Sequence, residues 1–327
     1  MAFEVSVVIP AYNRASLIPA TIDSMLRQTH PPAEVIVVDD GSRDDTERVV
    51  KSYKPPVKYV RIENSGVCNA RNVGVAHSSA PWVAFCDSDD LWHPEKLAAQ
   101  ARLFEKAPDV EYGFTNFCLV TGEDWSTGTK FDLAPLGYWD LPRRDIAQDL
   151  FVLDAPLFEN ILRFQPVFVS TLVMKRSFLD RVGHWNAALS RVLSEDLEFH
   201  LRCVVHPPIG VATAPVAGIR KHGANVSANP LPTTLGEIEI LRYVLAHQPE
   251  AKKYEAAIRE QIRIRSASAA SDAFEAGDLK LTRKLMGDVP PEFRTPKLRV
   301  KGLIAQLPEW MARPARSLAM ATTKKTS

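Results

Sequence analysis

The order of sequence patterns predicts an α/β fold: a doubly wound, mostly parallel sheet with helices on both faces, followed by a helical C-terminal region. Short β-branched runs recur through the first hundred residues, and a helical pattern separates each pair. After about residue 228 only helical patterns remain. Polar clusters follow three of the predicted strands, where open α/β sheets bind ligands.

The first half of the chain supplies the sheet. The predicted strands are residues 5–10, 33–42, 57–62 and 82–87. The predicted helices are residues 15–28, 44–52, 65–79 and 95–107. The third helix is rich in small residues, which suits close packing against a sheet. Helices between successive strands indicate parallel pairing, so the carboxyl ends of the strands should share one edge.

The rest of the chain has weaker and then purely helical patterns. Residues 118–160 are rich in Gly, Pro and aromatic side chains and are predicted to form a long loop over the site. A strand with a short helix (166–183), a helix (193–205) and one or two strands with a turn (210–227) follow. The C-terminal helices are predicted at residues 235–248, 250–276 and 278–289.

The composition excludes several classes of protein. The 327 residues are 46% hydrophobic and 24% charged with a net charge of +1, which does not indicate a nucleic-acid binder or a disordered chain. Four cysteines without CxxC spacing argue against a disulfide framework or a zinc site and fit a reducing compartment. No apolar run approaches the ~20 residues of a membrane span, and the N-terminus is typical of a strand rather than a signal peptide. We therefore expect a cytoplasmic protein, either free or peripheral at the inner face of the membrane.

Two acidic clusters lie at predicted strand ends. Asp87, Asp89 and Asp90 follow the fourth strand, and Asp39 and Asp40 follow the second. Carboxylates two residues apart can share a hard cation such as Mg²⁺ or Mn²⁺, which in turn holds phosphates. An acidic helix cap by Asp90 or Ser88 and a plain Asp–Gly turn are the alternatives from the residues alone.

Two later clusters also carry chemistry. Glu195 and Asp196 open a helix, where acids are favoured by the helix dipole, but where one could also deprotonate a hydroxyl. Arg220, Lys221 and His222 form either a solvated basic turn or a source of a metal ligand and positive charge. The residues alone leave both choices open.

The motifs, taken together and in order, resemble family 2 glycosyltransferases of the GT-A fold. They are "VVIPAYNR", "VIVVDDGSRDDT", "NSGVCNARNVGVAHS", "FCDSDDLWHPEKL", "SEDLEFHLR" and "RKHGANVS". The resemblance covers residues 3 to about 228. It implies an enzyme that transfers a sugar from a nucleoside-diphosphate sugar, with uridine the frequent base, to a hydroxyl of a glycan or lipid-linked acceptor, with inversion. It also suggests a role in polysaccharide assembly.

The resemblance implies roles for the donor-binding residues. Pro10 and Tyr12, in the P-x-Y-N-R match, would lie against the nucleotide base, and Asp39 would hydrogen-bond that base. Arg71 would reach the base or a phosphate. Asp87 would bind the ribose side of the nucleotide.

The resemblance also implies a metal and a base. Asp89 would hold a divalent cation, Mn²⁺ or Mg²⁺, on the diphosphate, with Asp90 beside it and His222 near the metal or the diphosphate. Asp196 would be the catalytic base, supported by Glu195. In-line attack by the deprotonated hydroxyl inverts the anomeric carbon, by the logic of single-displacement glycosidases.

The chain departs from the family in one place. Relatives commonly have a G-G-F stretch before the E-D pair, whereas this chain has "VGHWNAALSRVLSED". His184 and Trp185 are therefore expected to alter the acceptor wall. The predicted domains are a transferase domain (1–228), a helical extension (229–290) and a basic amphipathic tail (291–327).

Two rival functions stay open. The stretch "VAFCDSDDL" also fits a phosphohydrolase of the haloacid-dehalogenase type with Asp87 as nucleophile, but that motif usually follows the first strand. A homologue that only binds a nucleotide or a glycan is the second rival. The absence of GxSxG, GxGxxG and GxxxxGK[ST] weakens hydrolase, dehydrogenase and P-loop alternatives.

The C-terminal tail is strongly basic. Residues 291–327 hold eight Lys or Arg against two Glu, a net +6, so the other 290 residues carry −5. Val300, Leu303, Ile304 and Leu307 fall on one helical stripe, which Pro308 ends. Such a helix can lie on an anionic membrane, or pack on the catalytic domain or a second subunit.

Overall fold

A computed structural model of the chain describes residues 3–122, 124–222 and 230–323. The chain divides into two compact units: Met1–Arg191 with Glu195–Gly223, and Val192–Ser194 with Ala224–Ser327. Each unit has a core of its own. The three domains expected from the sequence stay a prediction.

The described residues of the first unit form eleven strands and seven helices. The strands are β1 (Val5–Ala11), β2 (Glu34–Asp39), β3 (Val57–Arg61), β4 (Trp82–Phe85), β5 (Leu91–Trp92), β6 (Tyr112–Thr121), β7 (Asp124–Thr129), β8 (Arg143–Ala147), β9 (Leu150–Leu153), β10 (Leu172–Lys175) and β11 (Ile209–Lys221). The helices are α1 (Ile18–Leu26), α2 (Thr46–Lys51), α3 (Val67–Ala76), α4 (Lys96–Lys106), α5 (Phe158–Arg163), α6 (Arg176–Val182) and α7 (Glu195–Cys203).

The strands make one mixed sheet. Its order is β3-β2-β1-β4-β10-β6-β11-β9-β8, with β5 on β11 and β7 on β6. The pairs β3–β2, β2–β1, β1–β4 and β6–β11 are parallel, and β10 between β4 and β6 is antiparallel to both. The α/β class with the GT-A arrangement is confirmed. Parallel pairing, predicted for most of the sheet, joins β3, β2, β1 and β4 in the first half of the chain and also β6 with β11. The other described pairs are antiparallel.

Helices cover both faces of the parallel part, as predicted. Alternate residues of a strand point to opposite faces, so Val7 and Val35 meet α1 and α4 in the main core, while Ile36 and Val38 meet α3. Helix α3 lies very close to the sheet. A Cβ added to Gly74 would stand 2.3 Å from Cγ1 of Val8, which explains the small residues of this helix.

The prediction of a loop over residues 118–160 is wrong. This segment contains the end of β6, all of β7, β8 and β9, and the start of α5. Strands β7 and β8 are largely exposed, so they lack the apolar alternation that marks a strand in sequence. Their backbone groups are satisfied by pairing with β6 and β9, which only the folded sheet supplies.

The described residues of the second unit are all helical, as predicted. Its helices are α8 (Pro230–His247), α9 (Glu255–Ala276), α10 (Leu279–Gly287), α11 (Pro296–Gln306) and α12 (Glu309–Thr323). One apolar cluster joins α8, α9, α10 and α11 around Ala269, Leu285 and Leu298. A second cluster around Phe274, Ala305 and Ala312 joins α9 to α12.

The predicted stripe of the tail is split in two. Ile304 and Leu307 pack against the second cluster, whereas Val300 and Leu303 are exposed. Pro308 ends α11 as expected, but a further helix, α12, follows it. The side of α11 that is buried is instead formed by Leu298, Gly302 and Ala305.

Candidate active site

The carboxyl ends of β1, β2 and β4 meet at one edge of the sheet, because the three strands are adjacent and parallel. Pro10 lies buried near the end of β1, in register with Val38. The pairing of β1 with β4 ends at Val8 and Phe85, followed by one hydrogen bond from the N–H of Cys86 to the carbonyl of Val8 (3.0 Å). Successive residues of a parallel strand hydrogen-bond alternately to the two neighbouring strands. The position of the missing N–H of Pro10 therefore faces the β4 side of the strand, beyond the point where the pairing with β4 ends. Pro10 therefore sits where the sheet opens.

Two acids shape the turn after β2. Asp39 is fully buried and accepts from the backbone N–H of Ser42 (2.7 Å) and the hydroxyl of Tyr59 (2.6 Å), with Arg61 at 3.3 Å. Burial and the hydrogen bond to Asp39 raise the pKa of Tyr59 to about 12, so it stays a donor. All described contacts of Asp39 are thus to the protein, and its hydrogen bond to a nucleotide base stays a prediction.

Asp40 anchors the start of α3. It accepts from the backbone N–H groups of Ser65 (2.7 Å) and Gly66 (2.9 Å), the residue that precedes the helix. Both acids of the D-D-G-S stretch therefore satisfy backbone donors of loops at the sheet edge. In the folded chain the D-D-G-S stretch therefore acts as a turn, which was the alternative interpretation from the residues alone.

Tyr12 presents its ring at the same edge and is 41% exposed. The next residue, Asn13, has a positive φ of 53°, a conformation that Asn tolerates better than most residues. The Asn13 N–H donates to Oγ of Ser42 (2.8 Å), and its side-chain oxygen accepts from the N–H of Arg43 (2.8 Å). These bonds fix the loop of Tyr12 to the turn after β2, and leave the ring available for stacking.

The three acids after β4 have different environments. Asp90 is buried, accepts from the hydroxyl of Ser170 (2.5 Å) and from the N–H of Arg220 (3.2 Å), and burial raises its pKa well above the usual range. Asp90 thus ties the turn to Ser170 and to β11, and among the described helices the next one along the chain, α4, is preceded by Glu95 rather than Asp90. Asp87 and Asp89 retain partial exposure at the edge.

Arg71 joins two of the predicted site motifs. It is buried, and its Nη2 donates to Asp87 (2.9 Å) while its Nη1 donates to Glu195 (2.8 Å). Burial works to lower its pKa, but the two carboxylates outweigh it and raise the pKa above the ordinary value. Its guanidinium carbon lies 4.4 Å from the ring centre of Trp185. The Arg71 guanidinium therefore binds both Asp87, after β4, and Glu195, at the start of α7.

Asp89 faces the last strand and the loop after β1. Its Oδ2 lies 3.0 Å from Nε2 of His222 and 3.8 Å from Nη2 of Arg14. Its backbone carbonyl accepts from Nε of Arg220 (2.5 Å). The structure thus brings together Asp89 and His222, the two residues that the resemblance implies for the metal, and adds Arg14. Their role at a metal stays a prediction. The Gly-Ala-Asn-Val-Ser part of the "RKHGANVS" match lies outside the described residues.

These residues fit a divalent cation only in part. Among the described residues no three His, Cys, Asp or Glu side chains are grouped as a metal site. Asp89 and His222 are a hard and a borderline ligand at 3.0 Å from one another. Mg²⁺ is usually held by one or two carboxylates together with substrate phosphates. The pair therefore fits a cation that receives its other ligands from a diphosphate.

Asp196 lies at the start of α7 beside a buried histidine. Its Oδ2 is 3.4 Å from Nε2 of Gln165 and 3.9 Å from Nδ1 of His200. Burial, with the charge of Arg71, lowers the pKa of His200 to about 3, so the imidazole is neutral. His200 is thus a neutral histidine of the core.

The position of Trp185 contradicts the expectation that this residue alters the acceptor wall. It is buried and stacks on Phe199 with ring centres 4.0 Å apart, beneath Arg71. It therefore belongs to the core and cannot be an acceptor wall. His184 is exposed beside Asp180 (3.2 Å).

Two residues of the site, Arg14 and Ser170, had no role assigned from sequence, and Arg220 is placed differently from both alternatives considered for it. Arg14 stands in the quoted "PAYNR" motif, which is the signal that could have identified it. Ser170 and Arg220 hold the turn after β4 from 80 or more residues away, and no local pattern indicates such a contact. Arg220 also donates to the hydroxyl of Thr21 (3.1 Å), so its guanidinium is engaged in hydrogen bonds within the protein.

Comparison with known proteins identifies the family of the N-terminal segment. The sequence model of glycosyl transferase family 2 matches residues 6–159, just under half of the chain. This segment belongs to glycosyl transferase family 2. The match includes the turns after β1, β2 and β4, and it confirms the resemblance drawn from the motifs.

Curated glycosyltransferases match parts of the chain. A putative teichuronic acid biosynthesis glycosyltransferase, TuaG of Bacillus subtilis, is 36% identical over 155 residues, 46% of this chain and 61% of the relative. An uncharacterized glycosyltransferase of Rickettsia typhi is 38% identical over 195 residues, 60% of this chain and 57% of the relative. In both, the match spans less than two thirds of the relative's own length.

Solved structures share the fold of this chain over nearly its whole length. Residues 1–349 of TarS from S. aureus, in complex with UDP-GlcNAc, superpose with a TM-score of 0.63 at 18% identity, covering 98% of this chain and 92% of that chain. The complex with UDP gives 0.61 at the same identity and coverage. Within residues 3–122, 124–222 and 230–323, no helix has the length and apolarity to cross a bilayer.

Proposed function

We propose that this chain is an inverting glycosyltransferase. It would move a sugar from a UDP-linked donor to a hydroxyl of a glycan or lipid-linked acceptor, with Mn²⁺ or Mg²⁺ on the diphosphate. The cytoplasm, including the inner face of the membrane, is the proposed location. Family 2 membership of residues 6–159 and the UDP and UDP-GlcNAc complexes of the TarS neighbour support the donor class.

One observation carries the proposal: Arg71 donates to both Asp87 and Glu195. Asp87 belongs to the turn predicted to bind the donor, and Glu195 precedes the predicted base. A transferase needs both sets of groups beside one sugar, on opposite sides of its anomeric carbon. A buried cation that fixes both motifs supports a site in which they act together.

On the donor side, Tyr12 would stack on the nucleotide base and Asp87 would accept from the ribose. Asp89 and His222 would hold the divalent cation, which when bound neutralises charge on the diphosphate. Arg14, at 3.8 Å from Asp89, would add a fixed positive charge where the leaving diphosphate gains negative charge.

On the acceptor side, Asp196 would accept the proton of the attacking hydroxyl. The acceptor oxygen then forms its bond to the anomeric carbon while the bond from that carbon to the diphosphate oxygen breaks. The bonding electrons leave with UDP. The Arg71 ion pair would keep Glu195, and with it the start of α7, in position.

Binding of UDP tests the donor site. Isothermal calorimetry with Mn²⁺, and again with a chelator, would be run on the wild type, Asp89→Ala and Asp45→Ala. Asp45 is an exposed acid paired with Arg48 on α2, which makes it a matched control. We expect metal-dependent binding that is lost in Asp89→Ala and kept in Asp45→Ala. Absence of UDP binding in the wild type would overturn the donor assignment.

Hydrolysis of UDP-sugars tests the base separately, since slow transfer to water needs no known acceptor. Asp196→Asn should lower turnover by roughly 100-fold or more and leave UDP affinity unchanged. If the wild type binds UDP but no donor sugar turns over with any acceptor, the chain is a nucleotide-binding homologue instead.

A further inference from the structure

The outward side of α11 and α12 carries an unusual number of exposed large apolar side chains. Of those exposed in the described part of the chain, five fall within residues 300–318: Val300, Leu303, Trp310, Met311 and Leu318. Trp310 is 77% exposed and Leu318 is 70% exposed. Single exposed apolar residues are ordinary, but a concentration of them marks an interaction surface.

Helix α11 buries its opposite side. Leu298, Gly302 and Ala305 point into the helical unit, and a Cβ on Gly302 would lie 2.6 Å from Cε of Met286. Such close packing fixes the rotation of the helix about its axis. Val300 and Leu303 are consequently held outward, beside exposed Arg299.

Helix α12 likewise has one buried side and one exposed side. Ala312 is buried, and Arg316 donates from Nε to the carbonyl of Phe274 (2.7 Å). The side with Trp310, Arg313 and Leu318 is exposed. We call Arg299, Val300, Leu303, Trp310, Arg313 and Leu318 the tail surface.

The region carries a net positive charge, and some of its basic side chains form hydrogen bonds or ion pairs within the protein. Residues 291–323 hold six basic side chains against Glu292 and Glu309, a net +4. Arg294 and Arg316 bond to backbone carbonyls, and Lys301 bonds to Glu275 (2.6 Å). On the tail surface Arg299 donates to the carbonyls of Arg294 (3.1 Å) and Pro291 (3.4 Å), and Arg313 pairs with Glu309 (2.6 Å). Both side chains remain exposed, and exposed Lys297 flanks them.

We propose that the tail surface binds an anionic membrane. Basic side chains lie among the apolar ones on both helices, with Arg299 next to Val300 and Arg313 between Trp310 and Leu318. A lipid headgroup region accepts this mixture, because short apolar side chains enter the acyl boundary while arginines remain among the phosphates. An exposed Trp beside basic residues is typical of the membrane interface.

Vesicle co-sedimentation of the full chain tests this proposal. Vesicles of phosphatidylcholine alone, and with roughly 30% phosphatidylglycerol, would be compared at low and physiological salt. We expect binding to the anionic vesicles and weak binding to the neutral ones. Each basic residue near an anionic surface is worth about fivefold in partitioning, so Arg299→Gln with Arg313→Gln should weaken binding by roughly tenfold or more.

Matched leucines elsewhere provide the control. Leu303→Ser with Trp310→Ser should abolish vesicle binding, because both changes remove apolar side chains from the tail surface. Leu133→Ser with Leu136→Ser removes two exposed leucines of the first unit and should leave binding unchanged. Far-UV circular dichroism checks that each variant is folded.

Three results would overturn the proposal. The wild type could fail to bind either vesicle, or bind both equally, which would remove the role of the anionic lipid. The tail surface could instead mediate self-association. In that case the wild type would be a dimer by light scattering, Leu303→Ser with Trp310→Ser would be a monomer, and the vesicles would remain free of protein.

Discussion

Arg71 contacts two carboxylates that lie 16 and 124 residues away in the chain. Removing one member of a buried charge pair usually costs about 3–5 kcal/mol, because the remaining charge is left without a partner. The family resemblance suggested contact with the nucleotide base or a phosphate, and that role stays a prediction. Both terminal nitrogens have protein partners, so the folded role of Arg71 is to hold Asp87 and Glu195.

Arg14 is the residue whose proposed contact is easiest to test. Its Nε is buried without a hydrogen-bond partner among the described residues, and Nη2 is 3.8 Å from Asp89. If it meets the β-phosphate, Arg14→Ala should weaken UDP binding by roughly tenfold or more while leaving UMP binding unchanged. Calorimetric titration of both nucleotides with Mn²⁺ gives the ratio of affinities.

Arg48→Ala is the control for this prediction, since Arg48 is exposed and pairs only with Asp45 (2.9 Å) among the described contacts. An equal loss of UDP and UMP affinity in Arg14→Ala would mean that Arg14 supports the loop of Tyr12 instead. If Arg14→Ala kept its affinity for both nucleotides, Arg14 would not belong to the donor site. The assignment of the donor site itself would be unaffected.

Lys96 predicts a pH dependence of stability. It is buried over the Trp92 ring with Nζ 3.8 Å from the ring centre, and burial lowers its pKa to about 7. In the unfolded chain a lysine titrates near ~10.4, so between these values the unfolded state binds more protons. The contribution of Lys96 to the free energy of unfolding should therefore rise from pH 7 to 10 and be constant below pH 7.

Denaturant unfolding of the wild type and Lys96→Met at pH 7, 8 and 9 measures this effect. The stability of the variant relative to the wild type should be greatest at pH 7 and should shrink as the pH rises. Lys106→Met, at the exposed end of the same helix, should show no such trend. A difference that does not change with pH would contradict the depressed pKa of Lys96.

At the scale of an element, α3 depends on its close approach to the sheet. Gly74→Ala would place a methyl group 2.3 Å from Cγ1 of Val8 and 3.2 Å from Cγ2 of Val38. Crowding of this kind costs about 1–3 kcal/mol, more than the roughly 1 kcal/mol that Ala gains over Gly in a helix. We expect a lower denaturant midpoint for Gly74→Ala.

The matched change is Gly287→Ala at the end of α10, where nothing lies within 4 Å of the added Cβ. It should leave stability unchanged or raise it by up to about 1 kcal/mol. If both variants behaved alike, the packing of α3 would not be the reason for its glycine.

At the scale of the whole molecule, the pattern of ligands predicts how the protein responds to metal removal. Asp89 and His222 lie 3.0 Å apart, but no three His, Cys, Asp or Glu side chains of the described residues are grouped as a complete metal site. A chelator alone should therefore leave the melting temperature unchanged. UDP with Mn²⁺ at about 100 times its Kd should raise it by roughly 5 °C or more, through linkage.

Differential scanning fluorimetry with UDP, Mn²⁺ and chelator in all combinations makes this measurement. A fall in melting temperature on chelation without nucleotide would show that a cation is part of the fold. Adding the UMP series from the Arg14 experiment would separate loss of the metal from loss of the β-phosphate contact.

The sequence by itself determined the α/β class, the family and the edge at which the polar residues meet. These follow from local rules: hydrophobic period marks each strand and helix, and helices between strands enforce parallel pairing, which brings Tyr12, Asp39 and Asp87 to one edge. The helical second unit was likewise evident from its period. The resemblance implied that Asp89 and His222 serve one metal, which stays a prediction, and the fold places the two side chains 3.0 Å apart.

Only the tertiary structure decided what each side chain does at that edge. Asp89 and Asp90 are neighbours in sequence, yet Asp90 is buried by Ser170 and β11 while Asp89 remains partly exposed. Trp185 belongs to the core and not to an acceptor wall. The segments β7 and β8 are strands although their sequences lack the alternating pattern of a strand. The packing of α11 leaves Leu303 exposed. Each outcome depends on partners distant in the chain, and burial and pairing by such partners have no local signature in the sequence.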